Sequence, residues 1–344
     1  MKRAVVLFNL GGPDKLENVE PFLFNLFNDP AILNLPSFFR LPLAKLISLR
    51  RAPTAKKIYQ ELGGSSPILK LTEDQSKALE TKLNNDDENS EYKSFVVMRC
   101  WHPRAEDVIK KVINYNPDEV ILMPLYPQYS AATSGSSIKE WKDISKKNNF
   151  KTKTSTICCY PQDNNFVLAH VNEIIKKINN LENYKLIFSA HGLPEKNIKN
   201  GDPYQWQVEQ SVNKIVETLK IKDLDWILSY QSRVGPLKWI GPSTEDIIIE
   251  TSKLKKHIVL VPIAFVSEHS ETLVELDIEY KELADKNGCT NYTRVPALGT
   301  NKNFIKAMSE LIIKKEEYNF NNKLYPPKTR CPNNLKKCPC FNYE

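Results

Sequence analysis

A histidine and a row of carboxylates are the residues of this chain best suited to chemistry. His191 stands in Ser189-Ala190-His191-Gly192-Leu193-Pro194, just past an apolar run, with Gly192 beside it to reduce crowding. An imidazole at the end of a buried strand can accept a proton near neutral pH or bind a metal, and a hydrogen-bonded structural histidine is the competing reading. The segment Ser267-Glu268-His269-Ser270-Glu271 continues through Glu275 to Glu279. Ser267 is a good helix N-cap, and helical spacing sets Glu268, Glu271, Glu275 and Glu279 on one face. Leu273, Leu276, Tyr280 and Leu283 form a neighbouring stripe that can pack inward. Such a ladder is either a solvated face or, in a cleft, a set of repelling carboxylates that a divalent cation would relieve. His269 would then stand near the mouth of a metal conduit.

Three further segments could hold a ligand. In Asn9-Leu10-Gly11-Gly12-Pro13 the paired glycines let backbone approach a ligand closely. Tyr126-Pro127-Gln128-Tyr129-Ser130 runs into Thr133-Ser134-Gly135-Ser136-Ser137, a hydroxyl-rich helix start that either caps a helix or attracts an anion such as a carboxylate. Arg99, followed by Cys100-Trp101-His102-Pro103, and Arg50 and Arg51 could each hold a carboxylate or make a surface ion pair.

The elements that must position these residues are short apolar runs: Ala4–Leu10, Phe95–Arg99, Val120–Leu125, Lys185–Ala190, Trp226–Tyr230 and Ile258–Phe265. Their lack of alternation fits strands buried on both faces. Helical patterns such as Ala105–Asn114, Asn164–Asn179 and Tyr204–Leu219 lie between them. The alternation predicts an α/β fold of two Rossmann-like domains, each a parallel sheet flanked by helices. The boundaries expected are 1–155 and 156–315, with a cysteine-containing extension at 316–344. The site is expected in the cleft between the halves, beyond the carboxyl ends of the strands. Lys146–Asn149 reads as a surface connection near the boundary, and Asn84–Ser90 as an exposed polar loop. Pro21–Leu49 is rich in Phe and Leu and broken by Pro30, Pro36 and Pro42. It reads either as core helices with proline stops or as an exposed apolar lip, at about residues 21–50, for a greasy ligand or a membrane.

Bulk properties bound the function. The chain has 344 residues, 41% hydrophobic and 26% charged, which suits a globular protein of two domains. A net charge of +7 fits an acidic small ligand or an anionic membrane surface, and no nucleic-acid signature accompanies it. The absence of G-x-G-x-x-G and of a Walker A motif disfavours a nucleotide-binding protein. The apolar run after Met1-Lys2-Arg3 is short and ends in Gly11-Gly12-Pro13-Asp14 without a cleavage site, so a first strand is expected rather than a signal peptide. No stretch reaches the roughly 18 apolar residues of a membrane span. A cytoplasmic protein is expected, with at most peripheral contact at the inner face of the cytoplasmic membrane. Oligomeric state has no signal in the sequence. Of the seven cysteines, Cys331, Cys338 and Cys340 crowd the C-terminus, and a disulfide framework is not expected in the cytosol.

Taken in order, these segments resemble the ferrochelatase family. The resemblance runs from the first strand to about Ala307 and rests on Asn9–Asp14, Gly63-Gly64-Ser65-Ser66-Pro67, Arg99–Pro103, Tyr126–Ser137, Ser189–Pro194 and Gly201-Asp202-Pro203-Tyr204. Gln231-Ser232-Arg233-Val234-Gly235-Pro236, Trp239-Ile240-Gly241-Pro242 and Glu275-Leu276-Asp277-Ile278-Glu279-Tyr280 are its most specific strings. It implies an enzyme, a lyase that inserts Fe²⁺ into protoporphyrin or coproporphyrin to form haem. His191 and Glu271 would be the catalytic and metal-binding pair, joined at the metal by Glu275 and His269. Leu10, Arg51, Tyr59, Arg99, Ser130 and Trp239 would line the porphyrin site. Apolar walls that bend the ring would tilt its nitrogens toward the metal, His191 would take a proton or ligate iron, and arginines and hydroxyls would hold propionates. The tail resembles that of cluster-bearing members, which implies a [2Fe–2S] cluster on Cys331, Cys338, Cys340 and an internal Cys158 or Cys159; a zinc site or idle thiols are the alternatives. A related cobalt chelatase and a non-catalytic haem or iron carrier are the rival functions.

Overall fold

In the computed structural model, residues 1–179, 181–233, 237–314, 319–320, 323–324 and 331–339 are described. The chain forms two compact units. One holds Met1–Cys159 and takes back the chain from Met308; the other holds Tyr160–Ala307 and the tail residues 331–339.

The first unit is built on β1 (Lys2–Asn9), β2 (Glu91–Met98), β3 (Glu119–Pro124) and β4 (Lys153–Thr156). They lie in the order β2-β1-β3-β4, all parallel. The inner strands β1 and β3 carry the apolar runs and are buried, as strands covered on both faces must be. Phe8, Val97, Leu122, Ile109 and Trp141 fill the core on one face, with Trp141 edge-on to Phe8 at 6.1 Å. The outer edge of β2 is occupied by side chains of the helix Ile68–Asp86. Asn84 accepts from the Tyr92 N–H and donates to the Tyr92 carbonyl, both at 2.9 Å, and Glu80 accepts from the Ser94 N–H at 2.7 Å. Asn84 therefore belongs to this helix, and the expected loop shrinks to the residues after Asp86. Lys146 and Lys147 likewise end the helix Ser136–Lys147, so the surface connection shrinks to the turn at Asn148 and Asn149.

The second unit repeats the plan. β5 (Tyr184–His191), β6 (Trp226–Gln231), β7 (His257–Pro262) and β8 (Tyr292–Arg294) lie in the order β6-β5-β7-β8, all parallel. In both units a π-helical stretch begins after the third strand in chain order: Ala131–Gly135 after β3, and Glu271–Glu279 after β7. Such wide turns are energetically poor and concentrate at functional sites.

His170, on the helix Asn164–Ile178, is 1% exposed and packs edge-on to Phe166 at 4.9 Å. Neither ring nitrogen has a hydrogen-bond partner among the described residues, and burial pushes its pKa down to about 3 from 6.5. The unfolded chain therefore binds the proton first. Stability is complete above about pH 6.5 and is lost as the pH falls toward the folded value, by roughly 2 kcal/mol at pH 5. His170→Leu is expected to raise the urea midpoint at pH 7 by relieving two buried unsatisfied nitrogens, worth about 1–3 kcal/mol. It should also flatten the loss of stability between pH 6.5 and 5; equal acid slopes for the two proteins would refute this.

The apolar segment forms the helices Val19–Phe27 and Ser37–Glu61. Pro42 and Pro53 lie inside the second helix, so the first of them is not the stop expected from the sequence. Phe22, Leu23 and Tyr59 pack into a local core, whereas Phe38 is 68% and Phe39 58% exposed, with Leu41, Leu46 and Leu49 exposed along the same helix. The segment is thus core on one face and apolar surface on the other. No helix among the described residues is long and apolar enough to cross a membrane.

Candidate active site

Parallel pairing brings the carboxyl ends of β5, β6 and β7 to one edge of the second sheet, the edge where open α/β sheets bind ligands. His191 is the last residue of β5 and pairs in register with Gln231, the last of β6. Gly192 follows with its N–H donating to the Gln231 carbonyl at 2.9 Å. A Cβ at Gly192 would lie 3.0 Å from that carbonyl oxygen and 3.3 Å from the Trp239 ring, so only glycine fits without displacement.

The His191 ring is oriented by the backbone of the residue that follows it. Nδ1 lies 2.7 Å from the Gly192 carbonyl oxygen, which can only accept, so Nδ1 carries the proton and Nε2 presents its lone pair. That lone pair faces Glu271, with Nε2 and Oε2 3.7 Å apart. Glu271 Oε2 is buried and has no hydrogen-bond donor among the described residues. A desolvated carboxylate oxygen without a donor is costly, and a proton or a cation offsets that cost.

Glu275 is the opposite case. Oε1 accepts from the Ser232 N–H at 2.9 Å and the Tyr280 hydroxyl at 3.0 Å, and Oε2 from the Ser232 hydroxyl at 2.6 Å and the Gln231 amide at 3.2 Å. Ser232 reaches it from a left-handed backbone, φ 58°. Burial and the neighbouring Glu271 charge raise the Glu275 pKa, against the hydrogen bonds of Ser232 and Tyr280. Four donors fill the sites of one carboxylate, so Glu275 is held as a fixed group whose oxygens are already engaged.

The expected row of four carboxylates is divided. Glu268 accepts from Arg294 at 2.7 Å and from the Ala297 N–H at 2.9 Å, and Glu279 is exposed. The helical stretch opens at Ser270–Glu271, with the Thr272 hydroxyl accepting from the His269 N–H at 3.0 Å, so Ser267 lies outside it and is not the cap. Its π-helical winding also departs from the α-helical spacing assumed. His269 packs on Phe265 at 4.5 Å between ring centroids, and Phe265 stands 6.4 Å from the His191 ring. Burial lowers the His269 pKa, opposed by the charges of Glu271 and Glu268, which favours the neutral ring. Phe265, Ser232, Gln231 and Tyr280 stood in the sequence only within an apolar run, a packing stripe or the family-like strings; their contacts with His191 and Glu275 had no local signal. Trp239, bridged to Pro194, has a buried indole N–H without a partner among the described residues.

In the first unit, Leu10 is half-buried after β1, and Tyr59 lies in the local core. Arg51 is exposed, its guanidinium 5.7 Å from the centre of the Phe27 ring. Ser130 is buried and caps the π-helical stretch, accepting from the Ala132 N–H at 3.1 Å. Arg99 is committed internally: it pairs with Asp29 at 2.9 Å and Glu140 at 3.0 Å and donates to Ser136 at 2.8 Å. Neither the surface ion pair nor the open carboxylate clamp expected for Arg99 is formed; it is a partly buried strut.

Among the described residues, no three His, Cys, Asp or Glu side chains gather as a metal cage. Cys331 and Cys338 are buried together with Leu335 against Trp206. Cys158 and Cys159, in the other unit, are buried with their sulfurs 3.5 Å apart. Cys340 lies outside the described residues.

A sequence model of the ferrochelatase family matches residues 2–316. A ferrochelatase of Pelagibacter ubique (strain HTCC1062) is 80% identical over 344 residues, covering 100% of both chains. One of Rickettsia felis is 50% identical over 342 residues, covering 98% of this chain and 97% of its own. Among solved structures, SirB from Bacillus subtilis with Fe³⁺ superposes with a TM-score of 0.55 at 13% identity, covering 91% of this chain and 95% of that one. The sirohydrochlorin chelatase SirB of subspecies spizizenii in complex with cobalt gives 0.53 at 11% identity, covering the same shares. These two likenesses are of fold.

Proposed function

The chain belongs to the ferrochelatase family, and from that premise we propose how its own residues carry out the family's reaction. The enzyme is a lyase of haem synthesis: Fe²⁺ enters a porphyrin and two pyrrole protons leave. His191 Nε2 accepts a pyrrole proton or ligates the incoming iron, and Glu271 Oε2 is its partner. The single observation that carries this reading is the oriented imidazole facing an unsatisfied carboxylate oxygen at 3.7 Å. Glu275, engaged by four donors, supplies negative charge at fixed position, and His269 backs Phe265 rather than the metal. Leu10, Arg51, Tyr59, Ser130 and Trp239 are the proposed porphyrin contacts. Arg99 holds its surroundings in place. Anaerobic insertion of Fe²⁺ or Zn²⁺ into protoporphyrin and into coproporphyrin, followed by loss of porphyrin fluorescence, tests the reading and names the substrate. No insertion into either would sink it.

The tail supports a further reading, a [2Fe–2S] cluster on Cys331, Cys338, Cys340 and one of Cys158 and Cys159. Two buried thiols seated in one apolar knot fit soft iron ligation. Anaerobically purified protein is expected to show the visible absorption of the cluster; a colourless protein with four thiolates on zinc, or with none bound, would exclude it.

The exposed face of Ser37–Glu61 supports peripheral contact with the inner face of the cytoplasmic membrane. Each phenylalanine buried in lipid contributes about 1.5–3 kcal/mol, so Phe38→Glu with Phe39→Glu is expected to cut binding to anionic vesicles at least tenfold. Unchanged sedimentation with vesicles would refute the contact.

A further inference from the structure

A backbone hydrogen bond, a side-chain bond and an apolar knot join the tail to the second unit. The Lys337 N–H donates to the Gly201 carbonyl at 3.0 Å, and Gly201, at φ 86°, has no Cβ to obstruct Lys336. Next to this junction the helix Tyr204–Leu219 begins, and its Gln207 is fully buried. The Gln207 amide donates to Cys331 Sγ at 3.2 Å. An amide N–H directed at a sulfur makes a weak bond to a neutral thiol and a charge-assisted one to a thiolate.

We propose that Gln207 is a positioning residue that sets the reduction potential of the iron–sulfur centre at Cys331. The inference rests on the cluster reading above. On one-electron reduction from [2Fe–2S]²⁺ to [2Fe–2S]⁺, the added electron spreads negative charge over the ligating sulfurs. An N–H donor at 3.2 Å stabilises the more negative state more, so it raises the potential. Trp206, packed on the same knot, excludes water that would otherwise supply competing donors.

The test is a dithionite redox titration of the full-length protein, followed by visible absorption and by the EPR signal of the reduced state. Gln207→Met keeps the bulk and removes the donor. Its midpoint is expected to move negative, with about a tenfold smaller equilibrium constant for reduction, which is about 59 mV for one electron. Gln207→Glu, which replaces the donor by an acceptor, should move it further in the same direction. Gln210→Met, one turn along the same helix and bonded to Gln162, is the control and should leave it unchanged. A Gln207→Met midpoint equal to that of the parent at equal iron content overturns the proposal, as does an equal shift in the control. Failure of both Gln207 variants to hold iron while Gln210→Met holds it assigns Gln207 to folding alone and also overturns it. A parent protein without iron–sulfur absorption would instead show that the cluster reading has failed, and this inference with it.

Discussion

His191→Ala is expected to lower turnover about 10²–10⁴-fold, the range over which a positioned acid–base group contributes. Porphyrin binding, measured by quenching of its fluorescence, should persist. The two readouts separate because the imidazole faces Glu271 across 3.7 Å and its other ring nitrogen is held by the Gly192 carbonyl. Truncating a part-exposed side chain at a strand end leaves the β5 pairing to β6 and β7 intact, so stability should change little. Glu271, left without its partner, cannot replace a neutral nitrogen base whose lone pair is fixed in direction. Retained turnover would remove His191 from the chemistry. Loss of both turnover and porphyrin binding would make it a structural residue, and a carrier protein would be indicated by binding that persists in a parent enzyme without any insertion.

Gly201→Ala is expected to have the largest effect on the tail. Gly201 combines a left-handed backbone, φ 86°, with a would-be Cβ 2.9 Å from the Lys336 nitrogen and 3.3 Å from the Asn334 carbonyl oxygen. Both obstacles are backbone, so neither can rotate away. Left-handed strain costs about 1–2 kcal/mol, and the clash is additional. The tail should lift, exposing Cys331, Cys338, Leu335 and Trp206, which now pack together. Gly288→Ala is the matched control, with φ 85° and nothing within 4 Å of its would-be Cβ. Both variants should lose stability in urea, but only Gly201→Ala should speed modification of the tail thiols and proteolytic trimming of the C-terminus. Equal thiol reactivity in the two variants would show that the close approach at Gly201 does not hold the tail.

The inner strands were legible because burial on both faces demands the uninterrupted apolar runs that β1, β3, β5 and β7 carry. β4 and β8 were not. Lys153–Thr156 and Tyr292–Arg294 are short and polar, and their strand character comes from pairing at a sheet margin rather than from composition. Gly192 was read as relieving crowding beside His191, and the structure makes His191 the last residue of β5, where the apolar run was expected to end one residue earlier. Sorting the carboxylates needed the fold. Arg294 claims Glu268 from 26 positions away, and Ser232 and Tyr280 claim Glu275 from opposite sides in sequence. Nothing local marks such pairings. The π-helical stretch is equally silent, because a wide turn keeps the same residue types as an α-helix while rotating them to new positions.

The side chains of Asn84 and Glu80 lie where another strand would dock against β2. Asn84 satisfies both the donor and the acceptor of Tyr92, as an incoming backbone would. An extended peptide, whether from a second copy or from a partly unfolded neighbour, therefore finds no template on this margin and must first break bonds already made. The sheet is guarded against fibrous growth at its long outer strand by two residues that belong to a helix, which ties resistance to aggregation to the docking of Ile68–Asp86 rather than to the strand itself.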